Sequence, residues 1–247
     1  MSESPSTKFI ALVTIVAAPF ALGAFMLAWS PAQQFSNTDP ARDGYVAPRS
    51  LSDLVEKIQT STVTVICEPS KKGYGQGTGW AIELANGVEE EFPTTLITNH
   101  HVIEDCIGVD GSVTVALLFE DPVKAQIVKW DKENDLAVLA TDLDIPPLAL
   151  SEYEPWPGYW TMALGSADGY QGSVAFGTVL NATTDQLLLT NNISKGNSGG
   201  PVVDNEGNVV GVVTFLSKDE QYNIAMSLNA FCAKILPCEE DYYWERD

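Results

Sequence analysis

The chain has 247 residues, 45% hydrophobic and 19% charged, with 33 acidic side chains against 13 basic ones. That apolar fraction supports one sizeable core or two small ones and excludes wholesale disorder. A formal charge of −20 argues against a nucleic-acid partner, because counterion release needs clustered Lys and Arg. Residues 1–50 hold equal numbers of acids and bases, so the imbalance sits on residues 51–247. There it favours solubility and attracts cationic partners without specifying a fold.

Residues 9–29 form an uncharged apolar run preceded by Lys8. As a helix it would be about 31 Å long, matching a hydrocarbon core, and Pro19 and Gly23 are tolerated in membrane helices. Two fates stay open: an uncleaved anchor, or a signal peptide cut near Ser30-Pro31-Ala32, although signal peptides usually carry about 7–15 apolar residues. Lys8 favours an N-terminus inside, and in either case the body of the chain is exported. Residues 30–50, with Pro31, Pro40 and Pro48 and no periodicity, read as a linker.

Leu51, Leu54, Val55 and Ile58 recur at helical spacing, which predicts a short amphipathic helix over 51–59. The period then changes to two, with Val63, Val65 and Cys67, and again with Val113, Val115, Leu117 and Phe119. Short apolar runs follow at 95–98, 136–140, 174–179, 186–190, 201–203 and 209–215, mostly bounded by turn residues. Many short strands predict an all-β barrel or sandwich, closed by a second short helix over 227–236. The spaced glycines Gly73, Gly75, Gly77 and Gly79 read as a β-hairpin, because Trp80-Ala81-Ile82 continues as a strand rather than the helix a phosphate loop requires. Cys67, Cys106, Cys232 and Cys238 lack Cys-x-x-Cys spacing, and with two histidines no metal or other cofactor is expected. Proximity favours the pairs Cys67–Cys106 and Cys232–Cys238, with buried free thiols as the alternative.

In Gly196-Asn197-Ser198-Gly199-Gly200-Pro201 one hydroxyl sits among glycines directly before an apolar strand. This is either a Gly-rich turn or a nucleophile site, where Ser must be exposed and N–H groups must reach an oxyanion unobstructed by Cβ atoms. A nucleophilic serine needs a base and a group that orients it. The two histidines are His100 and His101. Asp135, which opens the apolar run 136–140, is the candidate acid, whereas Asp131 and Glu133 read as solvated loop charges.

The blocks Thr98-Asn99-His100-His101-Val102-Ile103, Asp135-Leu136-Ala137-Val138-Leu139 and Gly196 to Pro201 resemble the three catalytic blocks of trypsin-like serine proteases, in particular the bacterial HtrA/Deg branch. Gly77-Thr78-Gly79-Trp80, Ala163-Leu164-Gly165 and Gly211-Val212-Val213-Thr214 extend the likeness over about residues 51–236. The resemblance implies a protease domain over 51–238 made of two packed six-stranded antiparallel β-barrels, about 60–145 and 150–226. A C-terminal helix over 227–236 and an acidic tail over 239–247 would follow, with the active site between the barrels. It implies His101 as base, since adjacent strand residues face opposite ways and leave His100 outside the site. Asp135 would orient the base and Ser198 would be the nucleophile. The oxyanion hole would comprise the N–H groups of Gly196 and Ser198, with that of Asn197 nearby.

Asn197 replaces the Asp that digestive relatives use to bind a newly cut N-terminus, so that activation switch is absent, as in the HtrA branch. About ten residues follow Leu236, which leaves no room for a PDZ domain. By family spacing Asn192 lies near the base of the primary pocket and Thr214, Phe215 and Leu216 line its wall. That lining argues against an Arg/Lys pocket and favours a small or medium aliphatic side chain. The implied activity is an exported serine endopeptidase, tethered to a membrane or secreted, that acts on protein or peptide substrates without a cofactor. Two other readings are a catalytically silent barrel pair that binds peptides or an envelope partner, and a hydrolase of esters or of one maturation site. The sequence sets no oligomeric state.

Overall fold

In the computed structural model the two period-two segments, around Val65 and Val115, are strands paired directly with each other. The structure describes residues 44–69, 75–82, 92–109, 112–216, 222–236 and 238. The apolar run 9–29, most of the linker and the acidic tail lie outside the described residues. Among those described, no helix is long and apolar enough to cross a membrane.

The elements are α1 (Leu51–Thr60), β1 (Thr62–Cys67), β2 (Gly75–Ile82), β3 (Thr94–Thr98), α2 (His100–Ile103) with a 3₁₀ turn (Glu104–Cys106), β4 (Val113–Ala116), β5 (Val123–Asp131) and β6 (Leu136–Thr141). After a long connection come β7 (Trp160–Ala167), β8 (Tyr170–Ala182), β9 (Gln186–Leu189), β10 (Pro201–Val203), β11 (Val209–Leu216), β12 (Asn223–Ser227) and α3 (Leu228–Lys234). They close into two six-stranded antiparallel barrels, ordered β1-β2-β3-β6-β5-β4 and β10-β11-β12-β9-β8-β7. Closure pairs every strand on both sides and leaves no free sheet edge.

Several strands are apolar on both faces because each face enters a different core. In β6, Ala137 and Leu139 fill the first barrel while Leu136 and Val138 enter a core shared between the barrels. The same division separates Val202 from Val203 in β10, and Ala163 from Met162 and Leu164 in β7. Such strands read as continuous apolar runs, whereas half-covered strands alternate. Leu54 and Ile58 of α1, and Leu228, Phe231 and Ile235 in and just after α3, complete the shared core. Ser227 caps α3 by accepting the Ala230 N–H at 3.2 Å. Phe231 then packs on Trp80 of the first barrel with ring centroids 6.3 Å apart.

Both proximity pairs of cysteines are disulfides, Cys67–Cys106 and Cys232–Cys238, so the free-thiol alternative falls. Cys67–Cys106 joins the end of β1 to the turn that follows α2 and closes a separation of 39 residues. Replacing both cysteines with serine is expected to lower the unfolding free energy by about 4 kcal/mol through the entropy returned to the unfolded chain. Urea melts of the double variant and the oxidised parent measure the difference.

Three local expectations change. The alternation read to Phe119 ends at Ala116, because the chain turns before Pro122. Glu120 N–H bonds to Leu117 O at 3.0 Å, and Phe119 takes φ 64° with 88% of its surface exposed. Strand β5 escaped the pattern because its register shifts between Ile127 and Lys129, which reverses the phase of alternation midway. His100 and His101 lie on helix α2 rather than a strand, so about 100° of rotation per residue separates them rather than a pleat. Gly75, Gly77 and Gly79 lie in β2, the second arm of the β1–β2 hairpin.

Candidate active site

Helix α2 starts directly after β3. Asn99, buried at its N-terminus, donates Nδ2–H to Asp135 O at 2.7 Å and so fastens the helix to the start of β6. The next link is made by His101, whose N–H bonds to Asp135 Oδ1 at 2.9 Å and whose Nδ1 lies 2.7 Å from Asp135 Oδ2. An ionised carboxylate only accepts, so the ring proton is on Nδ1 and Nε2 carries the free lone pair. His101 keeps 44% of its side chain exposed and Asp135 26%. His100 is only 6% exposed. Asp135 adopts φ 53°, a left-handed conformation that Asp tolerates better than most residues, at the bend that turns its carboxylate toward α2.

A second donor reaches the same carboxylate from the other barrel, Thr214 Oγ1 at 2.6 Å from Asp135 Oδ2. Burial raises the pKa of Asp135. The bonds from the His101 ring, the Thr214 hydroxyl and the His101 N–H outweigh that and hold it below the usual carboxylate value. Thr214 was expected in the pocket wall, yet its hydroxyl is engaged with Asp135. The strand register shifts between Val213 and Phe215, and a bulge of this kind re-aims the residue it carries. Asp131, expected as a solvated charge, instead organises the loop before Asp135. It accepts Glu133 N–H at 2.9 Å, Asn134 N–H at 3.2 Å and Asn134 Nδ2–H at 2.7 Å.

Ser198 lies half-exposed in the turn before β10. Thr78 N–H bonds to Ser198 O at 2.8 Å, and Gly199 N–H bonds to Val213 O at 2.8 Å. Gly199, at φ 84°, sits where a Cβ would overlap Thr78 O and Thr98 Oγ1 and approach Asn99 N, two residues before His101. A Cβ on Gly77 would likewise meet Val102 on one side and stand 2.9 Å from Ser198 O on the other. These close approaches seat the Ser198 turn against the helix that carries His101. Among the described residues no hydrogen bond engages the Ser198 hydroxyl.

The peptide units around Ser198 have fixed directions. Lys195 O accepts Asp168 N–H at 2.6 Å and Asn197 O accepts Gly200 N–H at 2.9 Å. In a trans peptide the N–H points opposite to the carbonyl, so the N–H groups of Gly196 and Ser198 face away from those anchors. Neither has an acceptor among the described residues. Asn197 N–H, by contrast, bonds to Ser194 O at 3.2 Å, which removes it from the expected donor set. Asn192 is exposed. The side chains of Phe215 and Leu216 lie outside the described residues. It is the adjacent Asn191 that is buried and bonded, to Thr161 Oγ1 at 2.8 Å and Ala175 O at 2.9 Å.

Two closed barrels, with a histidine–carboxylate pair on one and a glycine-flanked serine on the other, place the protein among the trypsin-like peptidases. Residues 77–212, more than half of the chain, match the trypsin-like peptidase domain family, and the chain belongs to it. Among curated relatives it is 30% identical over 181 residues to the anti-sigma-I factor RsgI9 of Acetivibrio thermocellus, covering 68% of this chain and 24% of that protein. It is 30% identical over 157 residues to the probable periplasmic serine endoprotease DegP-like of Chlamydia trachomatis, covering 59% of this chain and 29% of that protein. The chain therefore spans between 24% and 29% of the length of these relatives. Among solved structures, the active form of the Rv3671c protease from M. tuberculosis shares the fold, with a TM-score of 0.63, 22% identity and coverage of 82% of this chain and 90% of that one. The HtrA-type protease AlgW with a tripeptide matches at a TM-score of 0.60 and 27% identity, covering 72% of this chain and 60% of that one.

Proposed function

We propose that the chain is an exported serine endopeptidase that works through Ser198, His101 and Asp135. Ser198 Oγ attacks the carbonyl carbon of a peptide bond while its proton passes to His101 Nε2. Asp135 holds the ring in the tautomer that leaves Nε2 free and stabilises the imidazolium that forms. The carbonyl electrons move to an oxyanion that accepts from the N–H groups of Gly196 and Ser198. Collapse expels the amine, which takes the proton from His101, and water then hydrolyses the acyl-enzyme by the same route.

The observation that carries this reading is the 2.7 Å contact between His101 Nδ1 and Asp135 Oδ2, made beside a serine turn with two unengaged N–H groups. The names of the DegP-like relatives support both the activity and the extracytoplasmic setting. The disulfides fit an oxidising compartment. The apolar run 9–29 supports delivery to, and tethering at, a membrane. A primary pocket with Asn192 rather than an acid near its base would disfavour Arg or Lys, and Phe215 and Leu216 in its wall would favour a small or medium aliphatic side chain. The test is labelling of the oxidised protein by a fluorophosphonate probe, with loss of label in Ser198→Ala. A folded parent that takes no label overturns the proposal.

A further inference from the structure

The two free N–H groups lie on the Lys195–Gly196 and Asn197–Ser198 peptides of the second barrel, and the peptides between and after them are held by a residue of the first barrel, Thr78. Gly196 has φ 94° and no Cβ, so each peptide beside it rotates freely unless its carbonyl is held. The carbonyl before it, on Lys195, is held by Asp168 N–H. The carbonyl of Gly196 itself accepts from Thr78 Oγ1 at 2.6 Å. Thr78 Oγ1 in turn accepts Ser166 N–H at 3.0 Å. A hydroxyl has a single proton, and with one lone pair taken by Ser166 that proton is committed to Gly196 O.

The backbone of the same residue holds the Ser198–Gly199 peptide, directly after the second donor, through Thr78 N–H to Ser198 O at 2.8 Å. Thr98 Oγ1 braces Thr78 from behind by donating to its carbonyl at 2.7 Å. Thr78 is fully buried on β2 beside Gly77, whose missing side chain lets the serine turn come this close.

We infer that Thr78 is a positioning residue for the oxyanion hole, its hydroxyl locking the Gly196–Asn197 peptide that joins the two donor peptides and its N–H locking the peptide after Ser198. The inference rests on the serine-peptidase reading. Donors aimed at developing charge act through preorganisation. The Gly196–Asn197 peptide links the two donor peptides, so if it is free to rotate the Gly196 and Ser198 N–H groups lose their common aim and transition-state stabilisation falls while ground-state substrate binding stays. Thr78 touches no reacting atom and acts through Gly196 and Ser198.

The test uses the oxidised full chain with Thr78→Val, which keeps the shape and removes the proton, and Thr78→Ser, which keeps the proton. Steady-state kinetics on a peptide amide are compared with inhibition by a peptidyl aldehyde, whose adduct with Ser198 places an oxygen in the hole, and by a cleaved product peptide. Thr78→Val is expected to lower kcat about 10- to 100-fold with KM within about 2-fold. Aldehyde affinity should fall in parallel and product affinity should not. Thr78→Ser should recover kcat to within about 3-fold of the parent. If valine prevents folding, Thr78→Ala carries the same expectation. The inference is overturned by a valine variant with parental kcat, by a serine variant as impaired as the valine one, or by kcat, KM and product affinity declining together. A parent that neither labels with fluorophosphonate nor cleaves peptide overturns the peptidase reading itself, an outcome visible before any variant is made.

Discussion

Ser198→Ala is expected to reduce turnover of a peptide substrate by about 10⁶-fold, the scale seen when the nucleophile of another serine protease is removed. The size of the loss follows from the division of labour in the site. On the proposed mechanism, no acyl-enzyme forms without the hydroxyl, and His101 and Asp135 have no proton to move. The unengaged N–H groups of Gly196 and Ser198 remain, so residual rate above that in water is expected from oxyanion stabilisation and binding alone. The fold should be nearly indifferent, because Ser198 is half-exposed and its contacts with Thr78 run through the backbone. A change in unfolding free energy within about 0.5 kcal/mol is expected. Rate measurement together with a urea melt separates lost chemistry from lost structure. A variant that keeps more than about one per cent of parental turnover would remove Ser198 from the mechanism.

Asp135→Asn is expected to lower kcat by about 10⁴-fold, as the same exchange does in other Ser-His-Asp triads. The carboxylate accepts from His101 N–H, His101 Nδ1 and Thr214 Oγ1 at once. An amide has one oxygen and one NH₂ group, so it cannot accept at all these points. With the NH₂ toward the ring, Nδ1 becomes the acceptor and the ring proton moves to Nε2, where it blocks the base. Asparagine tolerates the left-handed conformation at φ 53°, so the backbone is kept and the loss reads on chemistry. Stability should also change with a defined sign. The folded pKa of Asp135 lies below its ordinary value of 3.8. Its contribution is therefore present at neutral pH and lost as pH falls through the folded value. The stability gap between parent and variant should shrink in that acid range, which urea melts at neutral and acid pH would reveal.

How much of this was legible beforehand depends on which residues share a face. Val63, Val65 and Cys67 alternate because the first barrel covers one side of β1, and their strand was readable. The polar residue between the two valines is less transparent. Thr64 is buried too, with its hydroxyl 2.6 Å from Ser166 Oγ of the other barrel, a partner about a hundred residues away that no local pattern indicates. Bulges hid the most. The shift after Ile127 masked β5, and the one at Thr214 turned a residue expected in the pocket wall toward Asp135. His101, Asp135 and Ser198 were legible only as blocks in order, since the His101–Asp135 contact and the bond that seats the Ser198 turn on Thr78 are long-range. Thr78 and Asn99 escaped as site residues because each acts by holding backbone, and a single Thr or Asn beside glycines looks like any turn or strand end.

The shared core also dictates an order of assembly. Trp80 of the first barrel packs on Phe231, and Lys129 Nζ of that barrel reaches Ile235 O at 2.7 Å, so its outer wall is finished only by α3 and the residue after it. During synthesis from N- to C-terminus, that half leaves the ribosome with Trp80, Ile97 and Leu136 still lacking the partners that α3 and the second barrel bring. The nascent chain thus reaches the geometry proposed for catalysis only once α3 has been made, and a product truncated after the first barrel carries His101 and Asp135 without Ser198.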